Sequence, residues 1–284
     1  MATINAINSP ILNCISSGRL TLTSNTPVTT SDVTGATTVY YTPYIGCVES
    51  VYNGTVWELL TFTQLSISVP STTNTNYDVF VYNNGGVLTA ASPVAWTNDT
   101  TRATALAYQD GVLVKSGDAT RKFIGSFRTG SVSGQVADSK SFRHVSNYYN
   151  RISRPLLVTD STSSWTYTSS SFRQARANSA NQLDVLICYA EDEIYISVQG
   201  LWQGSSTGAS GNLGIGINST STNSSSLNSN MQTAVGNVAR YMSLAIYNDI
   251  PPTGRTTFVW LESGANSVTF YGNQNSGIHG IVRN

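Results

Sequence analysis

The stretch VYNGTVWEL, Val51 to Leu59, decides the fold class. A β-branched and aromatic run meets Asn53-Gly54, and apolar–polar alternation resumes at Val56. Alternation with period two turns one face of a strand toward a core, and Asn-Gly supplies the positive φ angles of a tight hairpin turn. The pattern returns as VYNNGGVLT (Val81 to Thr89) and, less closely, as AYQDGVLVK (Ala107 to Lys115). Tyr52, Tyr82 and Tyr108, the matching tyrosines, are unevenly spaced. That spacing argues against a solenoid or propeller and for successive hairpins of one antiparallel meander.

Working outward, strand-like runs continue on both sides: RLTLTS from Arg19, TTVYYTPY, LLTFTQLSISV, YDVFVY and RKFIGSFRTG. After Pro155 they resume as LLVTDS, SWTYTSSSFRQA, QLDVLICYA and EIYISVQGLWQG, and the chain ends through ARYMSLAIYND, TTFVWLES and SVTFYGN. The expected fold is all-β: an N-terminal antiparallel meander or barrel-like domain, residues 18–129, followed by a jelly-roll-like β-sandwich, residues 156–284. Residues 130–155 read as a connector, in which SFRHVSNYYNRISRP holds one short helix ended by Pro155. Residues 1–17 carry an apolar stripe of Ile4, Ile7, Ile11, Leu12 and Ile15. The leader is too short to bury that stripe alone, so it reads either as an attachment arm or as an ordinary first strand. Gly204 to Asn230 is a Ser/Thr/Asn/Gly-rich loop broken by LGIGI. Loops of that length in compact domains usually bind something or lie against a neighbour.

Composition narrows the function. Of 284 residues, 40% are hydrophobic and only 11% are charged, about half the usual charged share. Ser, Thr and Asn fill the polar surface, which suits dense polar networks and contact between subunits. Fifteen Lys and Arg balance fifteen Asp and Glu, so no basic surplus exists to grip phosphates, and nucleic acid is not an expected partner. Cys14, Cys47 and Cys188 form no CxxC pair and have only His144 and His279 beside them; they read as buried free thiols, with no metal. MATINAINSPILN lacks the basic and apolar regions of a secretory signal. No apolar run approaches the ~20 residues that span a bilayer, so a cytoplasmic product without membrane insertion is expected.

Chemistry-bearing groups are few. Neither histidine neighbours a GxSxG elbow, and Cys188 lies in an apolar strand where burial keeps a thiol inert. Glu191, Asp192 and Glu193 form an acidic run at a turn between strands. Such a run reads first as a solvated hairpin tip; a Ca²⁺ site or a glycan-cleaving carboxylate pair are the other readings. No catalytic residue and no cofactor is assigned. Trp57, Trp96, Trp165 and Trp260 sit in alternating strands and are expected in the core. Trp202, flanked by Gly200 and Gly204 at the mouth of the long loop, is the tryptophan expected to be exposed. Tyr148 and Tyr149, with Arg151 and flanking asparagines, form the best contact motif for a partner or receptor.

One resemblance emerges from these residues. RLTLTSNTPVTTSDVTGATTVYYTPYIG, VYNGTVWELLTFTQLSISV, NYDVFVYNNGGV, AWTNDTTRATALAYQDGVLVKSGDATRKFIGSFRT and NYYNRISRPLLV, in that order, resemble a module of many tailed-phage virion proteins, over about residues 18 to 158. The resemblance implies a structural virion component, oligomeric, and located in the particle after assembly in the bacterial cytoplasm. It brings no catalytic set. No collagen-like or coiled-coil shaft is present, which favours a compact fibre, spike or capsid-decorating appendage. The expected protein is therefore non-enzymatic, a homotrimer that contacts other capsid or tail proteins through Ile4, Ile7, Ile11 and Leu12. The alternative is an adhesin that binds a host-surface glycan or protein through Trp202, Tyr148, Tyr149 and Arg151. A glycan depolymerase using Glu191 and Glu193 ranks below it.

Overall fold

The computed structural model describes residues 15–237 and 239–284. The attachment residues expected at Ile4, Ile7, Ile11 and Leu12 lie outside them. The described chain is all-β, and its helical content consists of two 3-10 turns, Ala175–Ala177 and Asn273–Asn275. None of the sheets closes on itself.

The three hairpins form, but by different turn chemistry. Val48–Tyr52 pairs with Trp57–Thr61 around a loop in which Gly54 alone takes the positive φ. There Asn53 works through its side chain, whose Oδ1 accepts the Thr55 and Val56 N–H groups at 2.9 Å. In the second hairpin the positive-φ pair is Gly85-Gly86, and in the third it is Asp110-Gly111. Both leave two-residue loops, with Asn84 opposite Val87 and Gln109 opposite Val112. These two hairpins flank one central strand, Asp118–Arg128, in a single sheet, whereas the first stands as a separate two-stranded ribbon.

The expected helix in SFRHVSNYYNRISRP is absent. Phe142–Arg143 and Val145–Asn147 are short strands, and Ser153–Thr159 carries Pro155 inside a strand. That strand lies at the edge of its sheet. Leu157, of the same parity as Pro155, sends its N–H away from the partner strand to Lys140 O at 2.9 Å. The donor that Pro155 lacks is thus one the ladder does not use.

Two sheets make the C-terminal sandwich. The inner one orders the strands Val33–Ala36, Val136–Asp138, Phe142–Arg143, Gln182–Ile187, Gly254–Ala265, Ser210–Ile217 and Asn230–Gln232. The outer one orders Ser153–Thr159, Gly277–Arg283, Ile194–Gly204, Tyr241–Asp249 and Leu227–Asn228. Leu183, Val185, Ile215, Phe258 and Trp260 from the inner sheet meet Ile194, Ile196, Val198, Trp202 and Ile278 from the outer one in a continuous apolar core. A second core gathers Leu20, Tyr41, Val51, Val79, Val81 and Phe127 in the N-terminal half. The inner sheet spans both halves, because Val136 pairs with Ala36 while Phe142 runs parallel to Asp184. Part of the supposed loop from Gly204 to Asn230 is not loop: Ser210–Ile217 is an inner-sheet strand paired along its length with Gly254–Ala265. Its glycines disguised it, and they are where neighbours press closest.

Candidate functional site

Trp202 is not exposed. It is fully buried in the sandwich core, stacked on Tyr241 at 5.0 Å, and its Nε1–H donates to Ser243 Oγ at 2.8 Å. A Cβ at Gly211 would overlap the indole ring. The glycines beside this tryptophan therefore mark close packing rather than a loop mouth. Trp57, Trp96 and Trp260 are buried as expected, and Trp165 is half-buried against the same core. Cys188 is buried, and burial pushes its thiol up to about 11. Cys47, expected to be buried, is exposed, because it falls in the turn before Val48–Tyr52.

Tyr148, Tyr149 and Arg151 do come together with the acidic run. Glu191–Glu193 is not a hairpin tip but the crossing from the inner sheet to the outer sheet at one end of the sandwich. Arg151 Nη1 stands 2.5 Å from Asp192 Oδ2, and Nη2 meets Glu191 Oε1. Arg283 adds a longer contact to Asp192, at 3.6 Å. Two of the three acids are therefore neutralised by arginine. Among the described residues, no group of three His, Cys, Asp or Glu is placed to hold a metal. The Tyr148 ring meets Tyr149 at 4.8 Å and Tyr189 at 5.4 Å, and the Tyr189 hydroxyl bonds that of Tyr108 at 2.9 Å. Burial raises the Tyr148 phenol, and the Tyr108 hydrogen bond raises that of Tyr189. Tyr108, 60% exposed, gives this cluster its outermost ring. Sequence reasoning missed Tyr108 and Tyr189 as members. The outward phase of Tyr108 in its strand and the place of Tyr189 just before the acids are the signals that point to them.

Tyr149 faces inward. Its ring lies over Lys122 Nζ at 4.8 Å, and Lys122 pairs with Glu49 Oε1 at 2.6 Å, both side chains being wholly buried. Glu49 Oε2 accepts the Tyr41 hydroxyl at 2.6 Å, and Lys122 Nζ donates to Ile15 O at 2.7 Å. A second ionic seam joins the halves. Arg128 and Arg255 share Asp99 at 2.7 and 3.3 Å, Arg255 holds Asp184 at 2.7 Å, and His144 Nε2 lies 3.3 Å from Asp184 Oδ1. Arg128, His144, Asp184 and Arg255 line a cleft of about 360 Å³ with Val132 and Phe142. Burial by itself raises the Asp184 carboxyl, but hydrogen bonds from His144 and Arg255 outweigh it and hold the group below its ordinary value.

The outer sheet presents the opposite surface. Its inward residues belong to the core, so by alternation its outward rows can be read from the register. The first row is Pro155, Ile281, Tyr195 and Asn248. The next is Leu157, His279, Ser197, Ile246 and Leu227, followed by Gln199 with Leu244 and Leu201 with Met242. No Asp, Glu, Lys or Arg occupies these rows. Leu157, Tyr195, Leu227, Met242, Leu244 and Ile281 are each exposed.

No family model matches the chain, and no curated protein does. Among solved structures, the insecticidal delta-endotoxin Cry8Ea1 from Bacillus thuringiensis shares 9% identity over 94% of this chain and 52% of its own, with a TM-score of 0.27. A Cry1Da tryptic core variant from the same organism shares 7% over 95% of this chain and 53% of its own, with a TM-score of 0.23. A chain of infectious bursal disease virus, Gx strain, shares 12% over 94% of this chain and 70% of its own, at 0.26. The chain thus spans about half the length of the two toxin structures.

Proposed function

We propose that this chain is a non-enzymatic structural component of a tailed-phage virion, a fibre, spike or capsid-decorating appendage, that works as a homotrimer attached to other particle proteins. The observation that carries the reading is how the charges are used. In a chain with so few of them, Lys122–Glu49, Arg128–Asp99, Arg255–Asp184 and Arg102–Asp78 are committed to buried or half-buried locks between strands. Only eight charged residues are exposed among the described ones, so most of the outside consists of hydroxyls, amides and apolar side chains, a surface suited to contact with other copies and other proteins. The sequence resemblance to phage virion modules over about residues 18 to 158 supports the same reading. Peptide mass spectrometry and immunogold labelling of purified particles test it: the chain is expected at stoichiometric level at one position on the particle, and its absence from washed virions would refute the proposal.

A second reading, a host-glycan adhesin, is favoured by the Tyr108, Tyr148 and Tyr189 cluster beside Arg151. Exposed aromatic rings beside charged hydrogen-bonding groups suit sugar rings. Glycan-array binding that Tyr108→Ala abolishes is its expected signature; unchanged binding in that variant removes it.

A further inference from the structure

We propose that the outward face of the outer sheet is the surface through which copies of this chain meet, each copy setting the Pro155, Leu157 and Ile281 side of its face against the Leu244, Ile246 and Met242 side of the next. The inference deepens the assembly part of the proposed function and rests on it only for the number of copies.

Three observations lead to a second copy as the occupant. First, the face carries no Asp, Glu, Lys or Arg from the Pro155–Ile281–Tyr195 row to the Gln199–Leu244 row, and Arg240, stacked at 4.1 Å on Tyr271 beside Leu201, marks its border. A partner bringing charges would bury them unpaired, at a cost of several kcal/mol per ion. The chain's own face brings none, so like meets like without penalty. Second, the face is broad: its strands of seven, seven, nine, nine and two facing residues, about 4.8 Å apart with a rise of about 3.3 Å per residue, present about 540 Å² in all. Third, the apolar residues form two in-register groups, Pro155, Leu157, Ile281 and Tyr195 on one side and Leu227, Leu244, Ile246 and Met242 on the other. Exposed apolar patches larger than a few hundred Å² on a folded chain mark interaction sites. Ser197, Gln199 and His279 lie along the middle of the face. Close to a three-fold axis, Gln199 and His279 of different copies can hydrogen-bond one another, Ser197 being buried beneath the face. The β-strand Leu227–Asn228 completes one edge, so part of the Ser/Thr/Asn-rich segment marked by its sequence for neighbour contact belongs to this surface.

Sedimentation velocity and native mass spectrometry of the purified chain provide the test, alongside hydroxyl-radical footprinting. Wild type is expected at the mass of three copies, and Leu244→Lys and Ile281→Glu each at the mass of one. Val87→Lys, at an exposed hairpin residue away from the face, is the control expected to keep the wild-type mass. Combining Leu244→Lys with Ile281→Glu places opposite charges on abutting edges and is expected to restore multimers. Met242, 56% exposed in the single chain, is expected to lose most of its oxidation in the multimer while Met231 keeps its own, a readout independent of how any variant folds. A monomeric wild type, multimers that survive both single variants, or Met242 oxidised equally in monomer and multimer would each overturn the proposal. So would a Met242 shielded only when other virion proteins are added. A chain found in virions yet monomeric alone sinks this inference and leaves the proposed function standing. A multimer of another size, with Met242 shielded, keeps the interface and removes the trimer.

Discussion

The seam between the two halves and the outer face of the C-terminal sandwich are built on opposite rules. In the seam, charged groups are matched: Arg255 bridges Asp99 and Asp184, and buried Asp184 also lies against His144; inside the N-terminal half the Lys122–Glu49 pair follows the same rule, with no exposed side-chain surface. On the outer face, apolar groups are exposed and unmatched within the chain. Burying ions rarely adds net stability over a well-packed apolar alternative, whereas it penalises any other arrangement of the same strands. The comparison therefore separates two jobs: the seam fixes how the halves register, and the face is left over for contact beyond the chain.

The largest effect should come from breaking the driest of the matched pairs, the one inside the N-terminal half. Lys122→Met leaves Glu49 charged in the core and is expected to cost about 3–5 kcal/mol in denaturant melts. Removing the Glu49 carboxylate as well, in Lys122→Met/Glu49→Leu, is expected to recover most of that loss, since the cost lies in the stranded charge. A double variant as unstable as the single one would mean that the pair stabilises by more than mutual compensation.

Trp202→Ala should cost a similar or slightly smaller amount, about 3–5 kcal/mol, because it empties the centre of the sandwich core and removes the indole donor of Ser243 Oγ. This prediction bears on what the sequence could reveal. The hairpin stretches read correctly from composition, since period-two alternation and Gly-containing turns are local properties. Trp202 and Ser210–Ile217 read wrongly because what decides them is not local. Gly211 makes room for an indole that arrives from the opposite sheet, and Gly214 for Asn223 and Phe172. A glycine that marks a turn and one that marks close approach look alike in a single sequence. The tyrosine–arginine motif at Tyr148 to Arg151 was legible as a cluster, but its two tyrosines divide: Tyr148 joins Tyr189, and Tyr149 covers Lys122. The outer face was visible only as separate alternating strands. Their order in space, 153–159 beside 277–283 beside 194–204, joins segments far apart in the chain, and composition carries no record of that.

Acid should act on the seam. Asp184 is held below its ordinary carboxyl value, so the unfolded chain binds a proton at higher pH than the folded one. Its contribution is then complete above the unfolded value of about 3.9 and is lost as pH falls through the folded one. Asp184→Asn is expected to cost about 2 kcal/mol at neutral pH, discounted from a fully buried pair because the Arg255 side chain is 30% exposed. Below pH 4 the variant and wild type should converge. Melting curves between pH 7 and pH 3 check the sign: a gap that widens in acid would mean that Asp184 is not the group holding the seam.

The smallest effect should fall on the face. Along Tyr241–Asp249 the side chains alternate between core and outside, with Tyr247 buried and Leu244 40% exposed. Tyr247→Ala is therefore expected to cost about 3 kcal/mol, as core truncations do. Leu244→Ser, measured at a dilution where copies are apart, should fall within about 0.5 kcal/mol of wild type, as surface substitutions do. The contrast works because both residues lie on one strand, share its ladder and occupy opposite faces. If Leu244→Ser in the separated chain costs as much as Tyr247→Ala, the face is covered by the chain itself, and the division between a matched seam and an unmatched face fails. If its cost appears only as concentration rises, that energy belongs to association, and the exposed rows from Pro155 to Met242 are apolar for a partner's sake.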